Sequence, residues 1–264
     1  MSNLFNPGRF LLLFKKTLSE KPTQMFGFTA MILALTLIFY AICKALAGFG
    51  AAQNISFIWG LAGGGCFMAS FVFGYFSSNA SGSSYLTLPA SSFEKWLCGI
   101  LIAGVLFPLV FILFYKLVDT SFVAIYRHGL DPSAPFYKME YESVYPFPLA
   151  GRVAVKIYTL FLIFSGAMFV GSLYFNKAGF IKTTLIGCLL VISIYAVNWL
   201  FARFLFGNLS DAFPFRYVAL FSGKSVGSIE LPEKAARFYA YSFNFIVPLI
   251  LWVTAYIRLR EKEF

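Results

Sequence analysis

Tyr85-Leu86-Thr87-Leu88-Pro89-Ala90-Ser91-Ser92-Phe93-Glu94-Lys95 divides two long apolar segments and reads as a polar elbow between them. Asn79-Ala80-Ser81-Gly82-Ser83-Ser84, just ahead of it, has the composition of a loop. Pro89 blocks helix continuation and biases Leu88 towards extended backbone. Ser91 stands three residues before Glu94, the spacing of a capping box, so a new helix is predicted to start here. That helix runs straight into the apolar Trp96-Leu97-Cys98-Gly99-Ile100-Leu101. A chain that only had to turn around could use a far shorter loop. This one carries an amphipathic patch, Tyr85, Leu86, Leu88 and Phe93, with the charged pair Glu94 and Lys95 behind it. One reading is a docking surface for a cytoplasmic partner. The other is an interfacial turn whose apolar side chains sit among lipid headgroups.

Working outward, the composition sets the class. Of 264 residues, 59% are hydrophobic and 12% are charged, more apolar surface than a soluble domain can hide. Six apolar segments of span length fit the chain, at about 26–48, 55–77, 95–126, 153–175, 180–206 and 236–258. The expected fold is therefore an all-α integral membrane protein with six transmembrane helices and no room for a soluble catalytic domain. Residues 1–24 form their own unit. Phe10, Leu13, Phe14 and Leu18 recur at helical spacing beside Arg9, Lys15 and Lys16, which predicts an amphipathic helix lying in the membrane surface. Residues 25–264 are the membrane domain.

Segment two holds Gly60, Gly63, Gly64 and Gly65, which suit either close helix packing or a kink. Lys116 and Asp119 are one turn apart near the far end of segment three. They form a candidate intramembrane ion pair, unless Lys116 snorkels to the interface. Two long loops remain, 127–152 and 207–235. Within the second, the Phe213-Pro214-Phe215 stretch is expected to pack at the membrane edge as a short re-entrant or interfacial helix. The net charge of +10 comes from scattered and helix-end residues beside anionic lipid, not from a nucleic-acid patch. Lys and Arg near the span ends favour both termini and residues 78–94 on the cytoplasmic side, with both long loops outside.

The sequence offers no reaction centre. His128 is the single histidine, the four cysteines lie in apolar segments without metal-ligand spacing, and neither a metal nor another cofactor is expected. Ser222-Gly223-Lys224-Ser225 mimics the end of a phosphate-binding loop, but Val218 stands where that motif needs glycine. Five of the six segments carry no Asp or Glu in their central thirds, which argues against a proton relay.

This layout resembles the membrane subunit of bacterial ATP-binding-cassette exporters of the type-2 permease family. The resemblance rests on an amphipathic N-terminal helix, six spans, and a Leu-Pro-Ala-Ser…Glu-Lys stretch before span three, carried by Leu88, Pro89, Ala90, Ser91, Glu94 and Lys95. The loop 127–152 is longer than the family pattern. The resemblance implies an inner-membrane half-transporter that pairs with a second copy or a similar subunit and hydrolyses nothing itself. It also implies cytoplasmic ATPase subunits that bind the 85–95 region and the N-terminal helix. A non-transporting scaffold or assembly subunit is the alternative.

Overall fold

The computed structural model describes residues 4–20, 22–77, 79–207, 209–222 and 225–262. Helices come first: α1 (Pro7–Glu20), α2 (Pro22–Ile58), α3 (Gly64–Val72), α4 (Asn79–Leu86), α5 (Ser92–Ile100), α6 (Phe107–His128), α7 (Tyr137–Ser143), α8 (Arg152–Tyr174) and α9 (Gly179–Phe206). Strands β1 (Leu209–Phe213), β2 (Tyr217–Ser222) and β3 (Ser225–Glu230) follow, then α10 (Glu233–Tyr241) and α11 (Val247–Glu261). π-helical turns at Trp59–Gly63, Leu101–Leu106 and Ser242–Ile246 join α2 to α3, α5 to α6 and α10 to α11.

The protein is an α-helical, multi-pass membrane protein. Among the described residues, five helical runs are long and apolar enough to cross a bilayer: Pro22–Val72, Ser92–His128, Arg152–Tyr174, Gly179–Phe206 and Glu233–Glu261. The expected count of six differs because segments one and two form one continuous run. That run doubles back at Gly48, whose φ of 82° and ψ of −179° leave helical backbone at a value glycine adopts without strain. Phe28 meets Phe71 with ring centroids 5.1 Å apart, and Phe39 stacks on Trp59 at 5.7 Å. On a straight helix Phe28 and Phe71 would be roughly 65 Å apart. Several glycines of segment two allow close packing. Gly60 and Gly63 lie in the π-helical turn, and a Cβ at Gly60 or Gly65 would overlap the rings of Phe111 or Phe161.

Helix α8 packs against α3, α9 and α11. The core is largely aromatic: Phe57, Phe111, Tyr115 and Phe147 form one cluster, and Phe73, Phe169 and Trp252 another. Helix α9 buries only Ala202 among its described residues. Its leucine, isoleucine and valine side chains face outward, as a lipid-exposed helix requires.

Two local expectations are corrected. The serine-rich stretch ahead of the elbow is helical, as α4. The segment expected to form a short helix around Phe213–Phe215 instead makes a three-stranded antiparallel sheet in the order β1-β2-β3. Tyr217 to Phe221 is rich in β-branched and aromatic residues, which suits a strand. Phe215, at φ 60°, turns the chain between β1 and β2 and packs on Tyr239 and Phe243. The sheet is fixed to α9 by Phe213 against Tyr195 and by Asn198 Nδ2 donating to the Ala212 carbonyl at 3.2 Å. Ser222 ends β2 and Ser225 begins β3, while Gly223 and Lys224 between them lie outside the described residues, as does Lys21.

Candidate functional site

The elbow is built around a capping box. Ser91 is the N-cap of α5: its Oγ accepts from the Glu94 backbone N–H at 3.2 Å, and its own N–H donates to Glu94 Oε2 at 2.8 Å. This satisfies two donors that a helix start would otherwise leave open. The same Glu94 carboxylate receives the Asn6 backbone N–H at 2.7 Å. It also grips the Arg9 guanidinium, with Nε to Oε2 at 2.9 Å and Nη2 to Oε1 at 2.8 Å. Glu94 is 0% exposed and the Arg9 side chain 36% exposed. Hydrogen bonding to Glu94 raises the pKa of Arg9 further. A fork-to-carboxylate pair of this kind combines charge with fixed geometry. One buried carboxylate thus fastens the start of α1 to the start of α5.

The rest of the elbow is tied from inside. Lys95, 1% exposed, sends its Nζ to the Leu86 carbonyl at 2.9 Å, where it satisfies the last turn of α4. Tyr85 is buried and stacks on Tyr75 at 4.7 Å, and Tyr75 donates to Glu20 Oε2 at 3.2 Å. Helix α1 is therefore held at both ends. The apolar side of this amphipathic helix faces the protein: Leu13 is buried in the core, and Phe10, Phe14 and Leu18 pack against it. Leu11, Leu12, Lys15 and Lys16 are among the residues α1 exposes.

Of the residues expected to meet a partner, Glu94 and Lys95 are buried, so neither forms a charged rim. Phe93 is half-buried in a ring cluster with Phe5, Trp96 and Tyr256, and so links the segment ahead of α1 to α5 and α11. Leu86, Leu88 and Ser91 are half-buried, and Thr87 and Pro89 are exposed. The outward face of the elbow is centred on residues 86–89.

The candidate Lys116–Asp119 ion pair does not form, and Lys116 lies as the snorkelling alternative has it. Lys116 points outward, while Asp119, 2% exposed, turns into the bundle. Asp119 Oδ1 accepts from Tyr40 Oη at 2.7 Å and from Gln53 Nε2 at 3.0 Å, and Oδ2 accepts from the Phe147 backbone N–H at 2.6 Å. Gln53 Nε2 also donates to the Tyr145 carbonyl at 2.9 Å, and Arg127 Nη2 to the Val144 carbonyl at 2.6 Å. The loop 127–152 is thus a strap whose Phe147 ring enters the core against Phe57, 4.8 Å away. Sequence reading missed Tyr40, Gln53 and Phe147. The available signal was Gln53 itself, a polar residue within the apolar first run that needs a buried partner.

No group of three or more His, Cys, Asp or Glu suited to a metal occurs among the described residues. Protein-family models, curated proteins and solved structures return no match to this chain.

Proposed function

We propose that this chain is the membrane permease subunit of an ATP-driven exporter in a bacterial inner membrane, with separate cytoplasmic ATPase subunits docking on the elbow. The Glu94 clamp is the observation that carries this reading. It joins α1, the elbow and the head of a span into one mechanical unit, so a push on residues 86–89 would be delivered to the run Ser92–His128 rather than lost in a loop. The permease itself would catalyse nothing, and a second copy or a similar subunit would complete the path. The burial of Glu94 and Lys95 favours a second reading, a scaffold subunit in which the elbow is only a rigid turn.

Purification of the full chain from its native membrane, followed by identification of co-purifying ATPases, separates the two. A central contact of this type is worth about 2 kcal/mol, so Leu88→Ala should weaken ATPase retention roughly 30-fold. Pro89→Glu should abolish it. Both variants should keep their normal abundance in the membrane. ATPase retention that Pro89→Glu leaves intact would sink the permease reading.

A further inference from the structure

A cavity of about 510 Å³ lies between the α2–α3 hairpin and the α8–α9 turn, at the α1 end of the molecule. This is within the roughly 300–1,000 Å³ typical of small-molecule sites. Phe28, Phe67, Phe71, Phe73 and Phe180 supply most of its apolar wall. Phe67 and Ile181, at one mouth, are 44% and 65% exposed on the surface that faces lipid. Tyr75, Asn176 and Ala178 line the other end. Ser70 Oγ is buried in the wall without a hydrogen-bond partner among the described residues.

The polar end is cationic. Lys262 Nζ donates to Asn176 Oδ1 at 3.3 Å and lies 4.9 Å from the Phe76 ring centroid. Lys182 Nζ lies 5.5 Å from the centroid of Phe175, another lining residue. Burial, with help from the Arg258 charge, holds the Lys262 ammonium below its usual pKa. Among the described residues, Glu261 pairs with Arg258 at 2.7 Å, and Glu20 accepts from Tyr75. The site therefore combines an aromatic trough that opens towards lipid with ammonium groups at its polar end.

We infer that this cavity binds one acyl chain of an anionic amphiphile, with the chain along Phe67, Phe71 and Phe180 and the anionic group at Asn176, Lys182 and Lys262. An acyl chain matches the apolar wall, which would remain dry without it. Among the described residues neither Lys182 nor Lys262 pairs with an acid, and the anion would supply that countercharge. The inference does not depend on the transporter reading. The same chemistry fits a bilayer phospholipid or an amphiphilic cargo.

The test uses the full chain in phosphatidylcholine nanodiscs with a trace of diazirine-bearing palmitate, followed by mapping of the labelled peptides. Labelling should concentrate at 67–75 and 175–181, above the level along the lipid face of α9. Phosphatidylglycerol should compete at least five-fold better than phosphatidylcholine. A Cβ at Gly74 meets nothing within 4 Å, so Gly74→Leu adds bulk in open space at the lining. This variant should reduce labelling at both peptides at least five-fold and leave α9 unchanged. Ile181→Trp, at the exposed mouth, gives the same readout if Gly74→Leu misfolds. The double variant Lys182→Gln, Lys262→Gln should keep the labelling but lose the preference for phosphatidylglycerol. Native mass spectrometry then identifies the source: a retained phospholipid points to the bilayer, and another anionic amphiphile points to cargo. Labelling equal to that of α9, or insensitive to both filling variants, overturns the site. Equal competition by the two lipids overturns its anionic character.

Discussion

Glu94 and Asp119 are both buried carboxylates near opposite ends of the run Ser92–His128, and each fastens a peripheral segment to the bundle. They do so by different means. Glu94 meets a cation, Arg9, whose own side chain is one-third exposed, together with two backbone N–H groups. Asp119 meets only neutral donors, Tyr40, Gln53 and the Phe147 backbone, all within the protein. If the Glu94 clamp opens, Arg9 can return to water at modest cost. If the Asp119 knot opens inside the bundle, three donors and a carboxylate lose their partners with no water to replace them. The α1 end is therefore held by a releasable contact and the far end by a fixed one.

Asp119→Ala should produce the largest effect. Each buried donor left unsatisfied costs about 1–3 kcal/mol, so the loss should reach about 3 kcal/mol or more. It should appear as a large fall in the unfolding temperature in detergent, with faster hydrogen exchange at 144–149. An unfolding temperature equal to that of the unsubstituted chain would break the comparison, because Asp119 would then be no more than a filler.

Glu94→Ala should be milder and local. Loss of a charge-assisted pair with a one-third-exposed partner should cost about 1–3 kcal/mol. Hydrogen exchange at residues 6–20 should rise while 144–149 stay protected. Adding Arg9→Ala to this variant should cost little more, since the pair acts as a unit. Global unfolding on Glu94→Ala would show that the α1 end is fixed as well. A third, smaller substitution refines this point. Glu94→Gln keeps the shape and one of the two acceptor oxygens, but removes the charge and turns an NH2 towards donors, so residues 6–20 should exchange at a rate between those of the unsubstituted chain and Glu94→Ala. A rate equal to that of the unsubstituted chain would show that the charge adds nothing to the clamp.

The two sites also differ in how far the sequence revealed them. The capping box at Ser91 and Glu94 was legible because its members are three residues apart and helix starts obey local rules. The Arg9 contact was not, because it spans 85 positions and Arg9 equally suits a lipid-facing helix. Asp119 was legible as a functional candidate, but Lys116, its neighbour one turn away, suggested the wrong partner. Only the doubling back at Gly48 and the strap at 144–149 bring Tyr40, Gln53 and Phe147 to it. The membrane class followed directly from apolar run length. The sheet at 209–230 did not, because a short apolar stretch with aromatic residues fits an interfacial helix as well as a strand until its pairing partner is known.

Tyr40→Phe should have the smallest effect, and it tests whether the Asp119 knot is shared among its donors. The substitution removes one hydroxyl and little volume. The ring keeps its packing against Phe122 at 4.8 Å and Tyr115 at 6.3 Å. Asp119 keeps Gln53 Nε2 on Oδ1 and the Phe147 N–H on Oδ2, so each carboxylate oxygen retains a donor. A net loss of about 1 kcal/mol follows, the ordinary contribution of one intramolecular hydrogen bond. The unfolding temperature should fall by less than a third of the fall in Asp119→Ala, and exchange at 144–149 should barely change. If Tyr40→Phe matches Asp119→Ala instead, the phenol alone holds the carboxylate. The far end would then hang on a single contact, as releasable as the clamp at Glu94, and the contrast between the two ends would not survive.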